Sequence, residues 1–194
     1  MFSGITEKTA NASRVERIDG SLRIWFRLPG AFKLKFGESV LVDGVCSTVE
    51  KKTGNEFAVY YMPETLRKTT FSKIPDSHLF NLERCLTLAS LVGGHLVSGH
   101  VDTVAKVISI TVEGDSKLLK FEISKQFSKY IIYKGSIAVN GVSLTVVSCG
   151  KEFFNVSLIP HTLLHTNLNQ LKIGSKVNIE VDLIAKYLEA VVHS

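Results

Sequence analysis

Two stretches of this chain carry one pattern. Ser39–Val49, SVLVDGVCSTV, aligns without a gap on Ser136–Val146, SIAVNGVSLTV, at an offset of 97 residues. The same offset pairs Phe57 with Phe154, Val59 with Val156, Pro63 with Pro160, Thr65 with Thr162, Leu66 with Leu163 and Thr69 with Thr166, and it still holds at Asn81 with Asn178 and Glu83 with Glu180. The offset is half of the 194 residues. The repeat is therefore a duplicated domain, since a solenoid repeats every ~20–50 residues and needs three or more units. A copy of roughly 100 residues can bury a core of its own. One fold occurs twice, and one kind of binding site with it.

Each copy reads as short strands. Ser21–Leu28 alternates and is ended by Pro29-Gly30; Ser39–Val42 and Val45–Val49 flank Asp43-Gly44, a hairpin signal repeated at Asn140-Gly141. Phe57–Tyr61, Phe80–Arg84, Ala105–Thr111 and Lys117–Ile123 are further strands, and Ser3-Gly4 marks a possible turn. Pro63 to Leu66 reads as a turn or a single helical turn with proline fixing φ, and Ser124 as the N-cap of a short helix through Tyr130. Many short strands joined by turns close most readily into small antiparallel barrels that leave few edges exposed. From Asp182 the period changes: Leu183, Ile184, Tyr187, Leu188 and Val191 recur at helical spacing. This helix has an apolar face and no second helix to cover it, so it packs on a barrel or meets its own copies in other subunits.

The net charge of +5 is spread thinly, with no basic run longer than Lys51-Lys52 or Arg67-Lys68. A barrel for single-stranded nucleic acid would interleave aromatics with cations on an exposed face, whereas the phenylalanines here read as core. Cys46, Cys85 and Cys149 are odd in number and lack CxxC spacing, which argues against a disulfide framework or a zinc site. No apolar run approaches the ~18 residues of a membrane span, so a soluble, cytoplasmic protein is expected. No P-loop, GxGxxG or HExxH is present.

Between the copies lies Leu91 to Asp102, LVGGHLVSGHVD, with His95 and His100 beside Gly93, Gly94 and Gly99. Histidine changes charge near neutral pH, so this pair is an acid–base candidate; the other reading is a linker with two satisfied imidazoles. Strand alternation puts Cys46 and Thr48 on one face, and Ser143 and Thr145 on the equivalent face of the second copy.

MFSGI, SVLVDGVCSTV, PETLRKT, FNLER, GGHLVSGH, YIIYKGSIAVNGVSLTV, LIPHTL and VNIEVD together resemble the riboflavin synthase family, in its homotrimeric class of tandem lumazine-binding barrels. The resemblance runs from Met1 to about Tyr187. It implies an all-β fold of two homologous six-stranded Greek-key barrels plus a C-terminal helix, divided as 1–95, 96–184 and a trimerising helix at 185–194. It also implies a transferase that dismutates two molecules of 6,7-dimethyl-8-ribityllumazine into riboflavin and 5-amino-6-ribitylaminouracil by moving a four-carbon unit. No cofactor or metal is implied, each active site lies between the N-barrel of one subunit and the C-barrel of its neighbour, and association with lumazine synthase is open.

Carried over residue by residue, the first pocket would use Gly4, Ile5 and Thr6, then Cys46, Ser47 and Thr48, then Tyr60, Tyr61, Met62, Pro63, Glu64 and Thr65. The second would use Gly99, His100 and Val101, with Lys134, with Ser143, Leu144 and Thr145, and with Ser157, Leu158, Ile159, Pro160, His161 and Thr162. Backbone groups would hold the heterocycle and side chains the ribityl hydroxyls. Proton transfer falls to His100 first and His95 second, with Ser143 and Cys46 as the groups that polarise or attack the ring. Cys46 is the better nucleophile if its pKa is lowered. The copies differ where roles must differ: Cys46 aligns with Ser143, Gly37 with Lys134, and Ile5 with His100. Ser3 stands where the family usually has Thr, Ser47 where it has Leu, Tyr60 where an acidic residue is common, and His161 where Glu is common. A non-catalytic lumazine- or flavin-binding relative shares the barrels but lacks the HLVSGH segment.

Overall fold

The structure, a computed structural model, describes residues 1–75 and 77–192. In the first copy, β1 (Lys8–Ile18), β2 (Ser21–Arg27), β3 (Ser39–Val42), β4 (Val45–Thr53), β5 (Glu56–Tyr61) and β6 (Leu79–Arg84) close into a barrel in the order β1-β2-β5-β4-β3-β6. In the second, β7 (Thr103–Glu113), β8 (Ser116–Glu122), β9 (Ser136–Val139), β10 (Val142–Cys149), β11 (Phe153–Leu158) and β12 (Lys176–Val181) close as β10-β11-β8-β7-β12-β9, the same circuit. Both repeated hairpins turn as expected, with Asp43 and Asn140 at φ 44° and 45°, the left-handed conformation that a two-residue turn between twisted strands requires. Bulges recur in matching places, at Val49/Lys51 and Val146/Ser148 and again at Ala12/Arg14 and Val107/Ser109, and supply the bending that closes so few strands.

The two interiors are filled differently. The N-barrel packs Phe26, Phe57, Phe71 and Phe80 against one another, with Phe26 and Phe57 stacked at 5.2 Å and Phe26 edge-on to Phe80 at 5.1 Å. Among the described residues the C-barrel stacks the equivalent of the first pair, Phe121 and Phe154 at 5.0 Å, and its other buried core side chains are Leu, Ile, Val and Ala105, with Phe127 and Tyr130 packed at the margin. Inside the N-barrel the Ser47 hydroxyl and the Tyr61 hydroxyl meet at 2.8 Å; the aligned positions in the C-barrel are Leu144 and Leu158, both buried. A buried polar pair that satisfies itself and an apolar pair of similar bulk are alternative solutions to one packing problem.

The barrels meet through equivalent elements, which gives the chain an internal two-fold relation. Asn81 Nδ2 donates to the Asn140 carbonyl at 3.0 Å, and Asn178 Nδ2 donates to the Asp43 carbonyl at 2.9 Å. Beside this polar seam a small apolar cluster is built from Phe2 and Leu41 of one copy and Val97 and Ala138 of the other. The seam departs from symmetry at Asp43, whose fully buried carboxylate accepts from Asn81 N and Asn167 Nδ2 and lies 2.6 Å from His78 Nε2.

Short helices α1 (Pro63–Lys68) and α2 (Pro160–His165) occupy matching places, each with proline in its first turn. Ser124 precedes a 3-10 helix, Lys125–Tyr130, at the N-cap position, but its side chain makes no capping bond. The terminal helix α3 (Leu183–Val192) begins at Leu183 rather than at 185, because the Asp182 carboxylate accepts the Ile184 N–H at 2.9 Å. It is tethered to its own barrel by Lys186 to Asp102 at 2.7 Å and by Lys129 to Glu189, while Ile184, Tyr187, Leu188 and Val191 stay exposed. Among the described residues no helix is long and apolar enough to cross a membrane.

Candidate active site in two exchanged cradles

The segments before the two barrels cross. Phe2 N–H donates to the Val97 carbonyl at 2.7 Å and Val97 N–H returns the bond at 3.0 Å, so Phe2–Gly4 and Val97–Gly99 run as antiparallel arms. Each arm is anchored by a buried glutamate. Glu83 accepts from Ser3 N, Ser3 Oγ and Gly4 N at 2.7, 2.7 and 3.0 Å; Glu180 accepts from Ser98 N, Ser98 Oγ and Gly99 N at 2.6, 2.7 and 2.8 Å. Beyond the anchor each arm lies against the other copy's barrel. The Gly4 carbonyl accepts Ser143 N–H at 2.8 Å, and the Gly99 carbonyl accepts Cys46 N–H at 2.8 Å. Both positions require glycine, because φ is 75° and 81° and a Cβ would come within 2.6 Å of Ser143 Cβ or 2.5 Å of Cys46 Cβ.

This crossing regroups the residues carried over from the sequence. Gly4, and Ile5 after it, join Ser143 of the C-barrel rather than Cys46; Gly99, and His100 after it, join Cys46 of the N-barrel rather than Ser143. Val101 likewise packs on the N-barrel core. The grouping by chain order fails because the apolar cluster at the two-fold draws each arm across the seam. The signal was present in the chain: Ser3-Gly4 repeats at Ser98-Gly99 with an offset of 95, not 97, and the Glu83/Glu180 identity is the matching anchor. Sequence reasoning assigned neither glutamate a role.

In the N cradle, Cys46 is half-buried, and Thr48, Tyr60, Met62, Pro63, Glu64 and His100 are exposed, with Thr65 partly covered. In the C cradle, Ser143 is half-buried beside exposed Thr145, Ser157, Ile159, Pro160, His161, Lys134 and Ile5, with Thr6 and Thr162 partly covered. Ser47, Tyr61, Leu144 and Leu158 point into the barrel interiors, so their side chains are not presented to the cradles. Tyr60 is backed by Arg23, whose guanidinium lies 5.7 Å from its ring and is held by Glu50 at 2.9 Å and Glu16 at 3.0 Å.

The histidines are placed unequally. His95 Nδ1 lies 2.7 Å from Ser143 Oγ, and its Nε2 is buried without a hydrogen-bond partner among the described residues. Burial pushes the His95 pKa down, which favours the neutral ring at neutral pH. His100 is exposed, its backbone N–H donating to Ser98 Oγ at 3.2 Å. Burial pushes the Cys46 thiol up, so the condition under which Cys46 would be the better nucleophile, a lowered pKa, is not met, and burial favours its neutral thiol form. Lys134 holds φ 63° where its counterpart Gly37 has φ 79°, a backbone conformation that costs a non-glycine residue of order 1 kcal/mol. Among the described residues no three His, Cys, Asp or Glu side chains gather as a metal site.

Comparison with known proteins bears on the family and the fold. The lumazine binding domain family matches the chain twice, at residues 3–85 and 98–182. A riboflavin synthase of Actinobacillus pleuropneumoniae is 37% identical over 97% of this chain and 88% of its own. That of Bacillus subtilis is 35% identical over 100% of this chain and 90% of its own. Among solved structures, LumP complexed with riboflavin superposes with a TM-score of 0.86 at 26% identity, covering 93% of this chain and 99% of that one. LumP complexed with 6,7-dimethyl-8-(1'-D-ribityl) lumazine gives 0.84 at 25%, with the same coverage.

Proposed function

This chain belongs to the riboflavin synthase family, with two tandem lumazine-binding domains, and on that footing we propose that it dismutates 6,7-dimethyl-8-ribityllumazine. Two molecules give riboflavin and 5-amino-6-ribitylaminouracil by transfer of four carbons, without a cofactor. The observation that carries this reading is the pair of exchanged cradles. A reaction whose two inputs are one compound needs two like pockets, and the repeat supplies them with the same anchors and different reactive groups. Holding both inputs in a near-attack arrangement is worth roughly 7–11 kcal/mol of barrier.

In this reading the C cradle carries the proton-transfer pair: neutral His95 holds Ser143 Oγ, so the serine can polarise the ring or pass a proton to the imidazole. The N cradle carries His100 as an exposed acid or base beside Cys46, which fills space and excludes water as a neutral thiol. Thr48, Tyr60 and Glu64 on one side, and Thr145, Ser157 and His161 on the other, meet ribityl hydroxyls. The exposed apolar face of α3 supports assembly as a homotrimer that brings the N cradle of one chain to the C cradle of the next. A cytoplasmic location, and an association with lumazine synthase, belong to the same proposal. A second reading, binding without turnover, is favoured by the solved relatives, which hold riboflavin or the lumazine itself. Incubating the purified protein with the lumazine alone decides between them. Riboflavin fluorescence growing without added cofactor is expected, and its absence leaves binding only.

A further inference from the structure

The repeat places two side-chain positions on the outer face of each short cradle helix, and the copies fill them with different chemistry. In α1 these are Glu64 and Lys68, a solvated ion pair at 3.3 Å. In α2 the aligned positions are His161 and His165, whose rings stack with centroids 4.2 Å apart and 30° between planes. Both imidazoles are exposed. The His165 Nδ1 lies 2.8 Å from the His161 carbonyl oxygen. A carbonyl only accepts, so Nδ1 carries the proton and the lone pair stands on Nε2. A ligating histidine is ordinarily fixed in this way, with its other ring nitrogen donating to a backbone carbonyl or a carboxylate.

From these contacts we infer that His161 and His165 form a site for a divalent transition-metal ion of the imidazole-preferring group, such as Zn²⁺ or Ni²⁺. Residues four apart on one helical face converge, so two imidazoles in this register can share one ion at the ~2.0–2.1 Å that a zinc–imidazole bond requires, with His165 offering the Nε2 lone pair that its Nδ1 contact leaves free. Two protein ligands leave the remaining coordination positions to water, so the ion exchanges rather than resides. The site is confined to one cradle: the ammonium of Lys68 has no lone pair to offer, so the aligned pair in α1 cannot bind such an ion in this way. His161 lies in the C cradle, so an ion held there withdraws it from the ribityl chain and makes metal an inhibitor of that cradle. This last consequence rests on the function proposed above.

The test separates binding from turnover. Untagged protein is titrated calorimetrically with Zn²⁺ and passed over immobilised Ni²⁺, alongside His165→Gln, which leaves His161 in place. The parent is expected to bind one Zn²⁺ per chain and to be retained until imidazole is added, and His165→Gln to lose both properties. Installing the pair in the first copy, Glu64→His with Lys68→His, is expected to raise the stoichiometry to two. Equal binding by the parent and His165→Gln, or no binding by the parent, overturns the site. If the parent turns over the lumazine, Zn²⁺ should slow it at least tenfold, reversibly with a chelator, and should leave His165→Gln at its metal-free rate. A parent that binds zinc but makes no riboflavin removes the proposed function and leaves the site standing.

Discussion

The two barrels share circuit, bulges, hairpin turns and anchors, yet differ in three places that bear on chemistry. The N cradle presents a half-buried thiol with an exposed histidine, and the C cradle a serine held by a half-buried one. The N-barrel interior is aromatic with an internal hydroxyl pair, the C-barrel interior aliphatic. The seam is an Asp–His contact on one side and asparagine on the other. In the function proposed above, what the copies retain positions a ligand and what they have changed reacts with it. On that reading duplication supplied a second pocket, and divergence at a few outward positions gave the pockets unequal roles.

The sharpest way to break this comparison is at the reactive pair. His95→Gln is expected to lower kcat by about 10²–10⁴, the range for a positioned acid–base group, while Cys46→Ser stays within about tenfold of the parent. Steady-state fluorescence assays on both variants check it. Comparable losses in the two would mean that the cradles are chemically equivalent.

Next come the arms. Gly4→Ala and Gly99→Ala each force a Cβ into the opposite barrel from a left-handed backbone, and each should cost about 2–4 kcal/mol in chemical denaturation. Equal losses are expected because the contacts are related by the internal two-fold. A loss at one glycine alone would place the symmetry in the strands and not in the crossing.

At the seam the prediction concerns pH. Burial pushes the Asp43 carboxyl up, with His78 opposing, so the folded chain binds that proton more tightly than the unfolded one. Its contribution to stability is then fullest below the ordinary aspartate range, near 4, and is lost as pH rises through the raised value. Asp43→Asn can still accept from Asn81 and Asn167. Its stability relative to the parent should therefore grow as pH rises from about 4 through the raised value in urea titrations. A difference independent of pH would mean that His78 compensates the charge fully.

The smallest effect is at the left-handed pair. Lys134→Gly should stabilise the fold by about 1 kcal/mol by relieving its φ, and Gly37→Lys should destabilise it by a similar amount. If Lys134→Gly also weakens lumazine binding, the strain is retained for the ligand; unchanged affinity would make Lys134 a surface residue only.

The sequence carried most of the fold but not the grouping of the candidate site, for identifiable reasons. The gapless offset, the Asp-Gly and Asn-Gly turns and the alternation of SVLVDGVCSTV are local signals, and β3 and β9 fall where these place them. Alternation also separated outward Cys46 and Thr48 from inward Ser47. The grouping of the cradles was not legible in chain order, because it is set by a long-range exchange of two three-residue arms held by Glu83 and Glu180. Nor was the ranking of the histidines: His95 and His100 look alike in sequence, and only burial against Ser143 distinguishes them. The Asp43–His78 contact joins residues 35 apart across a turn and a strand end, where no periodicity points.

The central claim is that each chain holds two like cradles for one compound. An equilibrium titration with a non-reacting ribityllumazine analogue, read calorimetrically against chain concentration, tests it most directly. Two analogue molecules per polypeptide are predicted, with His95→Gln leaving the count unchanged. A count of one per polypeptide would contradict the account.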